Sequence, residues 1–243
     1  MKVPLPARQT ATLRRIALAA IGLLLALMGS ALHAHGVDEQ DKAFIAGASG
    51  MHLIPYMYLG AKHMVTGYDH LLFLAGVIFF LYRMRDIGIY VSLFAVGHSV
   101  TLLAGVIFDI RANSYLIDAI IGLSVVYKAL DNMDAFDTLL GWRPDPKMAV
   151  LVFGFFHGFG LATKLQELTL GQDGLIGNLI AFNVGVELGQ FMALGLILIA
   201  MNLWRMSGDF RRHALVANAA LMSAGFMLTG YQLAGYFTRG SSL

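Results

Sequence analysis

The chain has 243 residues, 58% of them hydrophobic and 13% charged, with a mean hydropathy of +0.69 and a formal net charge of +2. A soluble domain is about 45–50% apolar and about 25% charged, so the composition points to the bilayer, and without a basic stripe nucleic-acid binding has no support. There is no cysteine, which excludes disulfides, thiolate metal sites and cysteine nucleophiles and leaves any metal site to imidazole and oxygen ligands.

Residues 1–34 read as a secretory signal: Arg8, Arg14 and Arg15, then the apolar run Ile16 to Met28, then small residues. Cleavage after Ala31 fits the small-x-small rule. Cleavage after Ala34 would leave His35 as a chelating N-terminus. Residues 35–62 begin polar and become apolar, but Gly47, Gly50 and Pro55 interrupt the run. The segment reads as an interfacial or re-entrant piece on the outer face. Residues 63–243 read as one membrane domain.

That domain is expected to be all-α, a polytopic helical bundle with about six transmembrane helices. The spans fall near Tyr68–Tyr82, Ile87–Phe108, Tyr115–Leu130, Met148–Lys164, Leu175–Trp204 and Ala214–Phe237. With both termini outside, the inner loops carry Arg83, Arg85, Lys128, Arg143, Lys147, Arg205, Arg211 and Arg212, the excess the positive-inside rule requires. The location implied is a bacterial-type inner membrane. Asp131, Asp134 and Asp137 recur at spacing three and read as a solvated inner face.

The informative residues are polar ones inside these spans. His63, Asp69 and His70 open the first. Seven residues are almost two helical turns, so His63 and His70 share a face if one helix carries both, while Asp69 points about 100° away and suits orienting His70. His98 lies in the second span, Asp118 in the third, His157 in the fourth and Glu187 in the fifth, where Asn183, Glu187 and Gln190 form an i, i+4, i+7 stripe. An ionised carboxylate at mid-membrane costs roughly 2.5–3.5 kcal/mol unless paired, and the imidazoles are its natural partners. All these groups can meet in one cavity reached from outside. A single membrane histidine is as well explained as a hydrogen-bonding link between helices; several on different spans favour a shared site. Gly154, Gly158 and Gly160 read as close-packing residues. No G-x-S-x-G, H-E-x-x-H or Walker motif is present.

The ordered motifs H-x5-D-H-LLFL, GHSVTL, LIDAIIGLSVVYKALDN, FGFFHGFGLA and FNVGVELGQ, from Gly60 to Gln190, resemble the HupE/UreJ family in its second subgroup. The resemblance implies a permease or accessory protein for nickel or a related divalent cation, serving hydrogenase or urease maturation proteins as partners. It implies metal handling by His63, His70, His98 and His157 with Asp69 and Glu187 as acidic partners. Asp118, and the pair Asp131-Asn132, stand where the family usually has a Glu and a Glu-Asn pair. Nickel is favoured, with zinc, copper and iron compatible with the same ligands. The alternative reading is a membrane metalloenzyme with a tightly held metal at the same residues. A third is an outer-face metal-binding partner using His35.

Imidazole binds metal in its neutral form, with an ordinary pKa near 6.5. Metal uptake into vesicles is therefore expected to fall as pH drops below about 6.5, and a rate that stays level down to about pH 5 would count against histidine ligation.

Overall fold

The computed structural model describes residues 50–166, 173–206 and 208–239. The signal segment, its cleavage points and His35 lie outside the described residues. Among the described residues eight helices follow in order: α1 (Leu53–Thr66), α2 (Tyr68–Ile78), α3 (Met84–Ile107), α4 (Ser114–Asn132), α5 (Ala135–Leu140), α6 (Pro146–Gln166), α7 (Leu175–Met206) and α8 (Phe210–Arg239). Among the described residues there is no strand. Among the described residues, four helices, α3, α6, α7 and α8, are long and apolar enough to cross a membrane. Their outward faces carry large apolar side chains such as Val96, Ile180, Phe191 and Leu196, a surface that water does not favour and lipid does.

Local chemistry sets several helix ends. Asn113 caps α4, its Oδ1 accepting from Leu116 N at 3.3 Å. Asp145 does the same for α6, accepting from Lys147 N and Met148 N at 2.8 and 3.1 Å, with Pro146 at the first helical position. The C-terminal carbonyls of α2 are met by a distant side chain: Arg205 donates to Ile78 O at 2.6 Å and Phe79 O at 2.7 Å.

Helices pair through close backbone contact. Parallel α1 and α7 approach so closely that a β-carbon added at Gly185 would stand 1.9 Å from Met57 O. Parallel α3 and α6 meet at Gly158, where the same atom would stand 2.2 Å from His98 O. Antiparallel α4 and α8 cross at Gly122, against Thr229. Small residues at such crossings replace the hydrophobic drive that lipid removes. The short helix α2 lies against α1, α4, α7 and α8 and buries His70, Phe73, Leu74, Gly76, Val77 and Ile78.

The first pass differs from its expected form. The helix around His63 begins at Leu53, runs to Thr66 across the boundary drawn at residue 62, and stops at Gly67, from which α2 starts. Met51 packs beside Gly177 near the start of α7, and Ile78 and Phe79 sit at Arg205 near its end. Together α1 and α2 therefore run the length of α7 as one interrupted stretch of helix.

Adding a methyl group at Gly185 must push α1 off α7. Gly185→Ala is expected to cost about 1–3 kcal/mol, the range for overpacking a filled contact. Gly195→Ala on the same helix, where a β-carbon would meet nothing within 4 Å, should leave stability level or slightly higher. Thermal unfolding of the two variants in detergent provides the comparison.

Candidate metal centre

The break at Gly67 builds the site. Gly67 N donates to His63 O at 2.9 Å, closing α1, and Gly67 O accepts from Leu71 N at 3.1 Å, opening α2. His63 thus lies in the last turn of α1, where a helix end is negative, and Asp69 in the first turn of α2, where a carboxylate is favoured. The two histidines meet from two helix segments rather than along one continuous face.

His70 is the hub. Its ring centroid is 5.0 Å from that of His63, 5.1 Å from His157 on α6 and 6.4 Å from His98 on α3. The rings of His70, His98 and His157 are nearly or fully buried, at 4%, 1% and 1% exposure. Phe94 packs on both His98 and His157, at 6.1 and 4.9 Å, Phe73 on His157 at 5.4 Å, and Phe182 on His63 at 6.3 Å. The imidazoles therefore sit in a pocket walled by aromatic rings.

Hydrogen bonding fixes two of the tautomers. Asp69 Oδ1 accepts from His70 Nδ1 at 2.9 Å and from the His70 backbone N at 3.0 Å. Phe153 O, which can only accept, takes the Nδ1 proton of His157 at 2.7 Å. Both rings are left with a bare lone pair on Nε2, the arrangement that outer carboxylates and carbonyls impose on metal-binding histidines. His63 Nε2, His70 Nε2, His157 Nε2 and both nitrogens of His98 are buried without a hydrogen-bond partner. Buried polar atoms left unpaired are few in a native structure and call for a missing partner.

The spacings of His70 to His63 and to His157 suit a shared ion, while that to His98 is longer. An ion about 2.1 Å from an imidazole nitrogen lies about 3.2 Å from that ring's centroid, so two rings sharing it tetrahedrally stand about 5.3 Å apart. As the side chains stand, however, no three His, Asp or Glu groups among the described residues are arranged to hold a metal ion.

Two carboxylates expected in the cavity have other places. Asp118 on α4 accepts from Lys164 on α6, with oxygen–nitrogen distances of 2.8 and 3.0 Å. Glu187 is exposed on α7 and lines a separate groove of about 350 Å³ between α3 and α7, with Ser99, Gln190 and Phe191. The stripe that carries it turns toward α3: Ser99 Oγ donates to Asn183 Oδ1 at 3.2 Å, and Gln190 Nε2 reaches Val91 O at 3.5 Å. The face of α7 turned to the histidines is the one bearing Phe182.

Sequence reasoning passed over Lys164 and a buried network at the C-terminal end of α4. Lys164 stands seven residues after His157, the same two-turn spacing that drew attention to His63 and His70, and that spacing could have found it. Asp131 is 1% exposed, not part of a solvated face. The reason is that α4 continues to Asn132, burying Asp131 between Lys128 Nζ on the same helix and Arg143 Nε at 2.8 Å. That bond holds the Arg143 guanidinium above its ordinary pKa.

No curated protein and no solved structure matches the chain. The signature of the family described as HupE / UreJ protein matches residues 39–240. That match takes in every described helix and all four clustered histidines, and the chain belongs to the HupE/UreJ family.

Proposed function

We propose that the protein is an integral inner-membrane permease, with both termini outside, that carries a divalent transition-metal ion through a site formed by His63, His70, His98 and His157. The observation that carries this reading is the set of unpartnered imidazole nitrogens buried where the first pass breaks. Interrupted helices with cargo at the break recur in membrane transporters. The directions of the helices, with α1 and α2 counted together, are those of six alternating passes.

Imidazole nitrogen suits nickel, zinc, copper and iron, and the HupE/UreJ resemblance puts nickel first. Binding takes a turn of the rings about their side-chain torsions, starting from His70–His63 and His70–His157 spacings of 5.0 and 5.1 Å that match a shared ion and a longer 6.4 Å to His98. Asp69 fixes His70 from behind and does not itself need to touch the ion. On this reading the ion must exchange, as transport requires.

Equilibrium dialysis of purified protein against nickel is the direct test. One ion per chain, removed by a brief chelator wash, is expected for the wild type. His70→Ala should abolish binding. Asp69→Asn should weaken it by about 10- to 100-fold, the effect of losing an outer-shell carboxylate, with the fold intact by gel filtration. Glu187→Gln should leave binding unchanged, because Glu187 lies in the other groove. A metal that copurifies and survives the wash would replace the permease reading with that of a metalloenzyme, and no binding by the wild type would refute metal handling at these histidines.

A further inference from the structure

The bundle is built of three helix pairs, α1 with α7, α3 with α6 and α4 with α8. Each is closed by backbone contact at glycine: Gly60 and Gly185 in the first, Gly97 and Gly158 in the second, Gly122 and Gly225 in the third. Helices packed that closely move as a unit, because a filled contact has no room to give. The pairs differ in how they are joined. Helix α4 packs on α6, and the Asp118–Lys164 ion pair crosses between them. Helix α2 packs chiefly on α4 and is tied to it where Asn132 donates to Gly76 O at 2.9 Å. Outside its own pair, α7 meets α2, α3 and α8 only sparsely.

The seam between α3 and α7 is the thinnest place beside the histidines. Among the described residues two side-chain hydrogen bonds cross it, Ser99 Oγ to Asn183 Oδ1 at 3.2 Å and Gln190 Nε2 to Val91 O at 3.5 Å. The second is at the outer limit of bonding. Along the seam runs the unfilled groove of about 350 Å³ that Val96, Val100, Glu187 and Phe191 line. The four histidines straddle the two bodies. His63 goes with α7, because α1 is clamped to it where a β-carbon at Gly60 would stand 2.0 Å from Phe182 O. His70, His98 and His157 belong to α2, α3 and α6 on the other side.

The α1–α7 pair is fastened at two points. Gly67 alone joins α1 to α2. At the far end of α2, Arg205 of α7 donates to Ile78 O at 2.6 Å and to Phe79 O at 2.7 Å. Asn183 lies twenty-two residues before Arg205, about 33 Å along the helix. A tilt of about 5° at the Arg205 end carries Asn183 about 3 Å, enough to part its bond to Ser99.

We propose that the α1–α7 pair is the moving body of the protein: it tilts on Gly67 and Arg205, opens and closes the histidine site along the α3–α7 seam, and is latched by the Ser99–Asn183 hydrogen bond. The proposal rests on the permease reading for what the movement serves, not for the movement itself. Element-terminal hinges with packed bodies swinging between them are a general form of such motion. An ion held by His63 on one body and by His70 on the other joins the two, so it favours the closed state by its difference in affinity for the two states.

The chain has no cysteine, so spin labels can be placed by substitution on the full chain in detergent. Leu123→Cys on α4 with Ile180→Cys on α7 reads across the seam. Leu123→Cys with Val96→Cys on α3 reads within the other body, and all three side chains are exposed. Without metal, the dipolar distance distribution is expected to be broader for the first pair than for the second. With nickel, the first should narrow and shift by roughly 2 Å or more, while the second stays fixed. Equal widths with no shift overturn the proposal. If the wild type binds no nickel, the permease reading falls and the widths decide alone: a seam pair as narrow as the reference pair overturns the movement too. With nickel loaded, closing Ser99→Cys/Asn183→Cys to a disulfide should slow removal of the ion by chelator roughly tenfold or more. Removal at the wild-type rate through the closed disulfide overturns the proposal.

Discussion

The interruption at Gly67 is the constraint on which the rest depends. A continuous helix would place His63 and His70 almost two turns apart, about 10 Å along one face, too far to share an ion. Ending α1 at Thr66 and restarting at Tyr68 brings the rings to 5.0 Å. A break inside a bundle frees backbone groups that lipid cannot satisfy. Here most of that cost is met locally, by Gly67 N on His63 O and Leu71 N on Gly67 O, and by Arg205 at the far end of α2. The close fit of α1 against α7, which leaves no room for a side chain at Gly185, then holds α1 in place.

Charge is distributed to match. Helix α4 carries two aspartates, each joined to a lysine: Asp118 to Lys164 and Asp131 to Lys128. They lie thirteen residues apart, about 20 Å along the helix. Each carboxylate is neutralised where it stands, so neither adds a negative charge to the histidine pocket. The pocket keeps Asp69 as its carboxylate, and Asp69 is spent on His70 Nδ1. The histidine site is thereby built from neutral donors, with one anion behind them.

The helices were legible from hydropathy because lipid imposes long apolar runs. The second pass, expected at Ile87–Phe108, is Met84–Ile107, and the fourth, expected at Met148–Lys164, is Pro146–Gln166. Depth was legible too, since the position of His98 or His157 within its run gives its level in the bundle. Azimuth was not. Asp118 and Glu187 stand on spans that also face the core, but the side each presents depends on which neighbours its helix meets. Asn183 and Gln190 bond to α3 and carry Glu187 to that side. Lys164 draws Asp118 to α6. Asp131 looked solvated because acidic residues at spacing three end a hydrophobic run. Its burial depends on Arg143, twelve residues on, folding back over the helix end, a long-range contact that no local pattern announces.

Neutral donors decide what kind of ion handling is possible. Without thiolates and with a single carboxylate held in the outer layer, the site offers a divalent ion little charge to offset its own, and the surrounding Phe73, Phe94 and Phe182 rings exclude the water that would screen it. On the proposed reading an ion is held there through imidazole lone pairs, and its departure leaves uncharged rings rather than a buried anion. A site with Asp118 and Glu187 among the ligands would strand two carboxylates on release. Turning one carboxylate to Lys164 and the other to the α3–α7 groove removes that penalty. On the proposed reading, the diversion of these acids leaves no stranded carboxylate in the cluster when the ion departs.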